Sequence, residues 1–134
     1  MGQDNVELVR RLYTAYQTGD IATVTAALAP DIRWHNSGTD TTAGTYEGVE
    51  AVLNNIAGDN HMDDYSLELV DMLSSDQRVA VVARTSGRRG DRQIVNDYVQ
   101  LIRIDDGRIA EVWNYNWDQK AIAEFMEVPM TTAR

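Results

Sequence analysis

Asp118, Asp97 and His35 are the side chains whose type and setting suit proton transfer. Asp118 ends the run Trp113-Asn114-Tyr115-Asn116-Trp117-Asp118. A carboxylate at the tip of an aromatic strand can be desolvated, which raises its pKa toward that of a general acid/base. It also directly precedes Gln119-Lys120-Ala121-Ile122, where an aspartate makes a good helix N-cap. Asp97 lies inside Val95-Asn96-Asp97-Tyr98-Val99, and a charge within a strand is either solvated on the outer face or buried for a purpose. His35 follows Trp34; histidine suits proton shuttling, although a lone one serves equally as a structural hydrogen-bonding group. Tyr13 and Tyr16 lie three apart, so on a helix they share a face, where their hydroxyls could donate to a developing enolate or simply fill core.

The stretch Gln93–Asp118 must position most of these groups. It reads as two strands joined at Asp105-Asp106-Gly107, a strong hairpin signal because glycine accepts the positive φ of tight turns. Alternation places Ile109, Glu111, Trp113, Tyr115 and Trp117 on one face and Ala110, Val112, Asn114, Asn116 and Asp118 on the other. Either set can look inward. The aromatic one would line a cavity or form a dimer interface, and the amide one would hydrogen-bond an oxygenated ligand. In the preceding strand Asp97 shares a face with Val99 and Leu101, opposite Asn96, Tyr98 and Gln100. Trp34 and His35 likewise point to opposite faces, so only one of them can line a pocket.

The remaining elements follow from periodicity. Asn5 can cap a first helix carrying Val6, Val9, Tyr13 and Tyr16, which Gly19 ends. Asp20 caps a second helix reaching Leu28, before Pro30. A strand from Asp31 to Asn36 runs into a polar loop through Thr45, and Tyr46-Glu47-Gly48 leads into a third helix with Val49, Val52, Leu53 and Ile56 on its apolar face. Strands are expected at Tyr65–Leu73 and Gln77–Gly87, the latter with a Val79–Val82 run that reads as covered on both faces. A last helix spans Gln119–Glu127. The order ααβαββββα predicts an α+β domain, a cone-shaped curved antiparallel sheet with helices on its concave face. No linker or repeat divides residues 1–134, so one domain is expected.

Composition narrows the function. With no cysteine and only two histidines, thiol chemistry is excluded and a multi-histidine zinc site is disfavoured. A net charge of −9 repels phosphate backbones and anionic membranes, so neither nucleic acid nor membrane is an expected partner. No apolar run spans a bilayer, and a cytoplasmic protein is expected. His61 falls in the polar loop Asn60–Asp63 and is expected to be exposed. Arg89-Gly90-Asp91 reads as a polar turn whose likeness to a cell-adhesion tripeptide is chance.

Four phrases carry a family resemblance: Leu12-Tyr13-Thr14-Ala15-Tyr16-Gln17-Thr18-Gly19-Asp20, Leu28-Ala29-Pro30-Asp31-Ile32-Arg33-Trp34, Gly44-Thr45-Tyr46-Glu47-Gly48, and Ile104-Asp105-Asp106-Gly107-Arg108-Ile109-Ala110-Glu111-Val112-Trp113. In this order and spacing the chain resembles the nuclear transport factor 2-like superfamily, and within it the SnoaL-like and ketosteroid-isomerase-like small-molecule proteins. The resemblance implies a cone whose open end admits an apolar ligand between the helices and the sheet; the amide row adds an oxygenated small molecule, and the aromatic row a homodimer through the sheet face, to the expected partners. The family's steroid isomerases use a carboxylate base on the first strand, a tyrosine on the first helix and a protonated acid on a late strand. Those positions fall at Asn36, beside Leu12 (with Tyr13 or Tyr16 nearby) and near Gln100, and Asn36 cannot abstract a proton. Polyketide cyclases of the SnoaL type use an aspartate and a histidine, and the aspartate after their last-strand tryptophan is similar to Asp118. The implied function is cofactor-free acid/base chemistry, namely cyclisation, isomerisation or dehydration by a lyase- or isomerase-like enzyme. Asp118 or Asp97 would move the proton and His35 would assist. Tyr13, Tyr16, Trp34, Tyr98, Gln100, Trp113, Asn114, Asn116 and Trp117 would bind the ligand, with no metal. The alternative is a non-catalytic ligand-binding or dimeric interaction domain of the same fold.

Overall fold

The computed structural model describes residues 2–38, 43–58 and 63–126. Helices α1 (Gly2–Thr18) and α2 (Ile21–Ala27) lead into strands β1 (Leu28–Asn36) and β2 (Gly44–Glu47) and helix α3 (Val49–Gly58). Four longer strands follow, β3 (Asp63–Ser74), β4 (Arg78–Arg89), β5 (Arg92–Asp105) and β6 (Arg108–Asn116), before helix α4 (Gln119–Met126). The α+β class and the order of the expected helices and strands match the sequence reading, with β2 added. His61 lies outside the described residues.

Local chemistry sets the boundaries. Gly19 takes φ 77, and Asp20 caps α2 by accepting bonds from the Thr23 amide at 3.2 Å and the Thr23 hydroxyl at 2.6 Å. Leu28, read as the end of that helix, is extended and opens β1. Pro30 is tolerated there because the β1–β6 ladder shifts register between Leu28 and Arg33, where no proline N–H is needed. Asn5 is not a cap, since α1 begins at Gly2. Its amide instead donates to the Asp76 carbonyl at 2.9 Å, tying α1 to the β3–β4 turn. Gly44-Thr45, read as the end of a loop, and Tyr46-Glu47, read as the lead into α3, form a short edge strand paired with Arg33–Asn36. At the β5–β6 turn Asp106 and Gly107 adopt φ 52 and 72, the left-handed pair a two-residue hairpin requires.

The six strands lie in the order β2-β1-β6-β5-β4-β3. Every neighbouring pair is antiparallel except β1 and β6, so the sheet expected to be antiparallel is mixed. Hairpins force antiparallel pairing, whereas β1 reaches β6 only through α3 and four intervening strands and is free to run alongside it. Register shifts in β3 and between Arg103 and Ile104 of β5 bend the sheet.

The concave face carries the core. Val81, Ile102, Ile109 and Val112 from the strands meet Val9 of α1 and Val52 of α3, all essentially without solvent contact. The Val79–Val82 run is covered on one face only: Val79 and Val81 are buried, while Ala80 and Val82 are half-buried on the convex side. Ile102 sits between Val79 and Val112 in the ladder. Ile102→Ala should therefore cost about 3 kcal/mol in chemical denaturation. A loss below about 1 kcal/mol would show that this layer is not tightly packed.

Candidate functional site

The register of β1, β6 and β5 brings Asn36 beside Asn114 and Asn114 beside Gln100. All three side chains point into the concave side, under α1 and α3. They join a continuous chain of hydrogen bonds. The Tyr13 hydroxyl of α1 donates to Gln100 Oε1 at 2.6 Å, and Gln100 Nε2 to Asn114 Oδ1 at 2.8 Å. Asn114 Nδ2 donates to Asn36 Oδ1 at 2.8 Å, and Asn36 Nδ2 to Asn55 Oδ1 of α3 at 2.9 Å. The Trp34 indole N–H donates to the same Asn36 oxygen at 2.9 Å. A second amide pair, Asn96 Nδ2 to Asn116 Oδ1 at 2.9 Å, lies further along β5 and β6. Gln100 is only 7% exposed, and a buried amide of this kind is tolerated because it is bonded on both sides.

This chain forms one wall of a cavity with two lobes. The apolar lobe, about 60 Å³, is bounded by Leu12, Tyr13, Tyr16, Val24, Leu28 and Ile56. The polar lobe, about 110 Å³, is bounded by Asn36, Asn55, Thr85, Asn96, Asn114 and Asn116, with Ile122 and Met126 of α4. Trp34, Tyr65, Tyr98 and Gln100 line both lobes, which therefore adjoin. Among the described residues, no aspartate, glutamate, histidine, lysine or arginine lines either lobe.

Strand parity decides where the sequence candidates fall. Tyr13, Tyr16, Trp34, Tyr98, Gln100, Asn114 and Asn116 line the cavity. Trp113 and Trp117 do not: beyond the register shift, odd positions of β6 from Glu111 onward face the convex side, where Trp113 stacks on His35, and Trp117, just past the strand, is 84% exposed. His35 and Asp97 share that outer face by the same alternation. The His35 ring meets Thr45 Oγ1 at 2.8 Å through Nδ1 and Glu111 Oε2 at 2.6 Å through Nε2. Asp97 pairs with Arg84 at 2.7 Å, and that bond holds its carboxyl below the usual carboxylate range. Asp118 lies beyond the end of β6, where its carboxylate accepts the Ala121 amide at 3.0 Å and its carbonyl accepts the Ile122 amide at 3.2 Å. It caps α4, as its position before Gln119 allowed. Among the described residues no three of histidine, aspartate and glutamate are grouped to hold a metal ion.

Several wall residues escaped the sequence reading. Asn55 is the clearest case. It falls on the buried stripe of α3 beside Val52 and Ile56, and an amide on an apolar helix face was its signal. Asn96, Tyr65 and Thr85 follow from the parity that places Tyr98 and Gln100 inward, once the facing strand is known. Ile122 and Met126 depend on how α4 folds back, which no local pattern specifies.

The outer cluster has a pH signature. The His35 bond, aided by Arg103 at 3.4 Å, holds the Glu111 carboxyl below its ordinary value near 4.5. A depressed folded-state pKa contributes stability above the unfolded value and loses it as pH falls through the folded one. Glu111→Gln should thus be less stable than the parent near neutral pH, and the gap should close on acidification below about pH 4. A gap that stays constant down to about pH 3 would remove the Glu111 carboxylate from the account.

Comparison with known proteins agrees with this architecture. The pattern of the SnoaL-like domain family matches residues 9–112. An uncharacterized protein of Mycobacterium bovis is 29% identical over 127 residues, spanning 90% of this chain and 95% of the relative. The structure of Bal32a, from a soil-derived mobile gene cassette, superposes with a TM-score of 0.88 at 26% identity, covering 93% of this chain and 98% of its own. An NTF2-like protein from Burkholderia xenovorans LB400 gives a TM-score of 0.82 at 25% identity, covering 94% and 98%. With helices roofing a bent sheet, a cavity between them and the family pattern running from α1 into β6, the chain belongs to the SnoaL-like domain family of the nuclear transport factor 2-like superfamily.

Proposed function

We propose that this protein binds a compact, uncharged, oxygenated small molecule in the two-lobed cavity and that it does so without general acid/base catalysis by His35, Asp97 or Asp118. One observation carries the reading: the described cavity wall is made of amides, tyrosines, a tryptophan, Thr85, Met126 and aliphatic groups, with no carboxylate or imidazole. Proton transfer needs a base within hydrogen-bond reach of the reacting atom. Instead, His35 and Asp97 face the other side of the sheet, and Asp118 is engaged at the start of α4. Volume sets the size of the occupant. Both lobes together fall below the roughly 300–1,000 Å³ of drug-sized sites, which suits about two fused rings.

A neutral bicyclic ketone, α-tetralone, should bind and shift the side-chain amide signals of Gln100 and Asn114. Naphthoate, an anion of similar size, should bind at least about tenfold more weakly, because the wall offers no cation to offset desolvation of its charge. Tetralone affinity should be flat between about pH 6 and 8, where no wall group titrates. Asp118→Ala should keep that affinity and lose about 1 kcal/mol of stability with its cap. Naphthoate binding as tightly as tetralone, or affinity collapsing in Asp118→Ala, would sink the reading.

The same proposal includes a second copy of this chain against the convex face. Val95, Val99, Tyr115 and Trp117 are exposed there and Ala80, Val82 and Leu101 half-buried, an apolar field that includes the Val79–Val82 run whose sequence reads as covered on both faces. Aromatic residues at its centre are those enriched at protein interfaces. Sedimentation should find twice the chain mass for the parent and a monomer for Val99→Asp. A parent that sediments as a monomer at high concentration would exclude this partner.

A further inference from the structure

We infer that the cavity discriminates between ligands by hydrogen-bond polarity, favouring those that present carbonyl oxygens over those that present O–H or N–H groups at the same place. The inference rests on the proposed binding role and specifies the ligand class. An indole N–H can only donate. The Asn36 atom 2.9 Å from it must therefore be the oxygen. Asn114 must then offer its nitrogen to Asn36, which turns the Asn114 oxygen toward Gln100. Gln100 must answer with its nitrogen, leaving its own oxygen for the Tyr13 hydroxyl. In the other direction Asn36 presents its nitrogen to the Asn55 oxygen. One donor-only group thus orients four amides on four different elements.

The consequence is a wall whose oxygens are turned toward protein donors. The second amide hydrogens of Gln100 and Asn114, and both of Asn55, are left for an occupant. Gln100 is buried enough that bulk solvent does not satisfy its hydrogen. A carbonyl of a small ketone, quinone or lactone meets these donors directly. An alcohol at the same place can also accept from these donors, but its own hydrogen must share an oxygen that already accepts from Tyr13, Gln100 or Asn36, and an amine brings more such hydrogens, so both bond less well than a carbonyl. The Asn96–Asn116 pair has no such anchor and takes no part in the selection.

Calorimetric titration of three probes with one carbon skeleton tests this: tetralin, α-tetralone and α-tetralol. The parent should bind the ketone at least about fivefold more tightly than the alcohol. In Trp34→Phe the anchor is gone, the amides can turn over, and that ratio should fall toward one. A readout without any variant is the side-chain amide spectrum of the parent, in which the ketone should shift Gln100, Asn114 and Asn55 and tetralin should not. Alcohol binding as tightly as ketone overturns the inference. If all three probes bind alike, the polarity claim falls while the binding role stands; if none binds, both fall.

Discussion

The indole N–H of Trp34 is the fixed point of this molecule's interior. It cannot accept, so the asparagine oxygen beside it has no choice of orientation, and each amide further along inherits its direction from the last. Tyr13 on α1 and Asn55 on α3 terminate the chain, so the roof helices are registered to the sheet by directional bonds as well as by apolar packing. Hydrocarbon contacts among Val9, Val52, Val81 and Ile102 would tolerate some sliding. The amide chain does not, because each displaced member would leave a buried polar atom unpaired.

The sheet divides its chemistry by face. Among the described residues, those that line the cavity are neutral: amides, tyrosines, Trp34, Thr85, Met126 and aliphatic groups. Outward positions hold the charge, paired within the sheet as Arg84 with Asp97 and His35 with Glu111, and Glu111 is also within reach of Arg103. The depressed pKa values of Asp97 and Glu111 therefore come from ion pairs on the convex side. Perturbed titration often marks an active site, yet here its causes are a guanidinium and an imidazole bonding to carboxylates away from the cavity.

Much of this was legible in the chain itself. The Asp106-Gly107 turn, the Asp20 cap and the helical stripes are local signals, and the structure follows them. The alternation around Asn114 and Asn116 was legible too, but not its sense. Which face of β6 looks inward depends on which face the helices cover, and that is settled only when α1 and α3 dock. The parallel pairing of β1 was invisible for a similar reason, since nothing within Leu28–Asn36 names its partner. Asp118 shows the limit of reading chemistry from composition. Alternation puts it in line with Asn114 and Asn116, but β6 ends at Asn116 and the aspartate turns to the helix that follows.

That parallel strand also constrains the route by which the chain reaches its fold. β1 pairs along one edge with β6, near the far end of the sequence, and along the other with the short β2. Contacts so distant along the chain close a large loop, and such topologies fold slowly. During synthesis β3, β4 and β5 can pair as each emerges, while β1 keeps one edge unpaired until β6 arrives. The last hairpin to leave the ribosome is the one that gives the first strand its place.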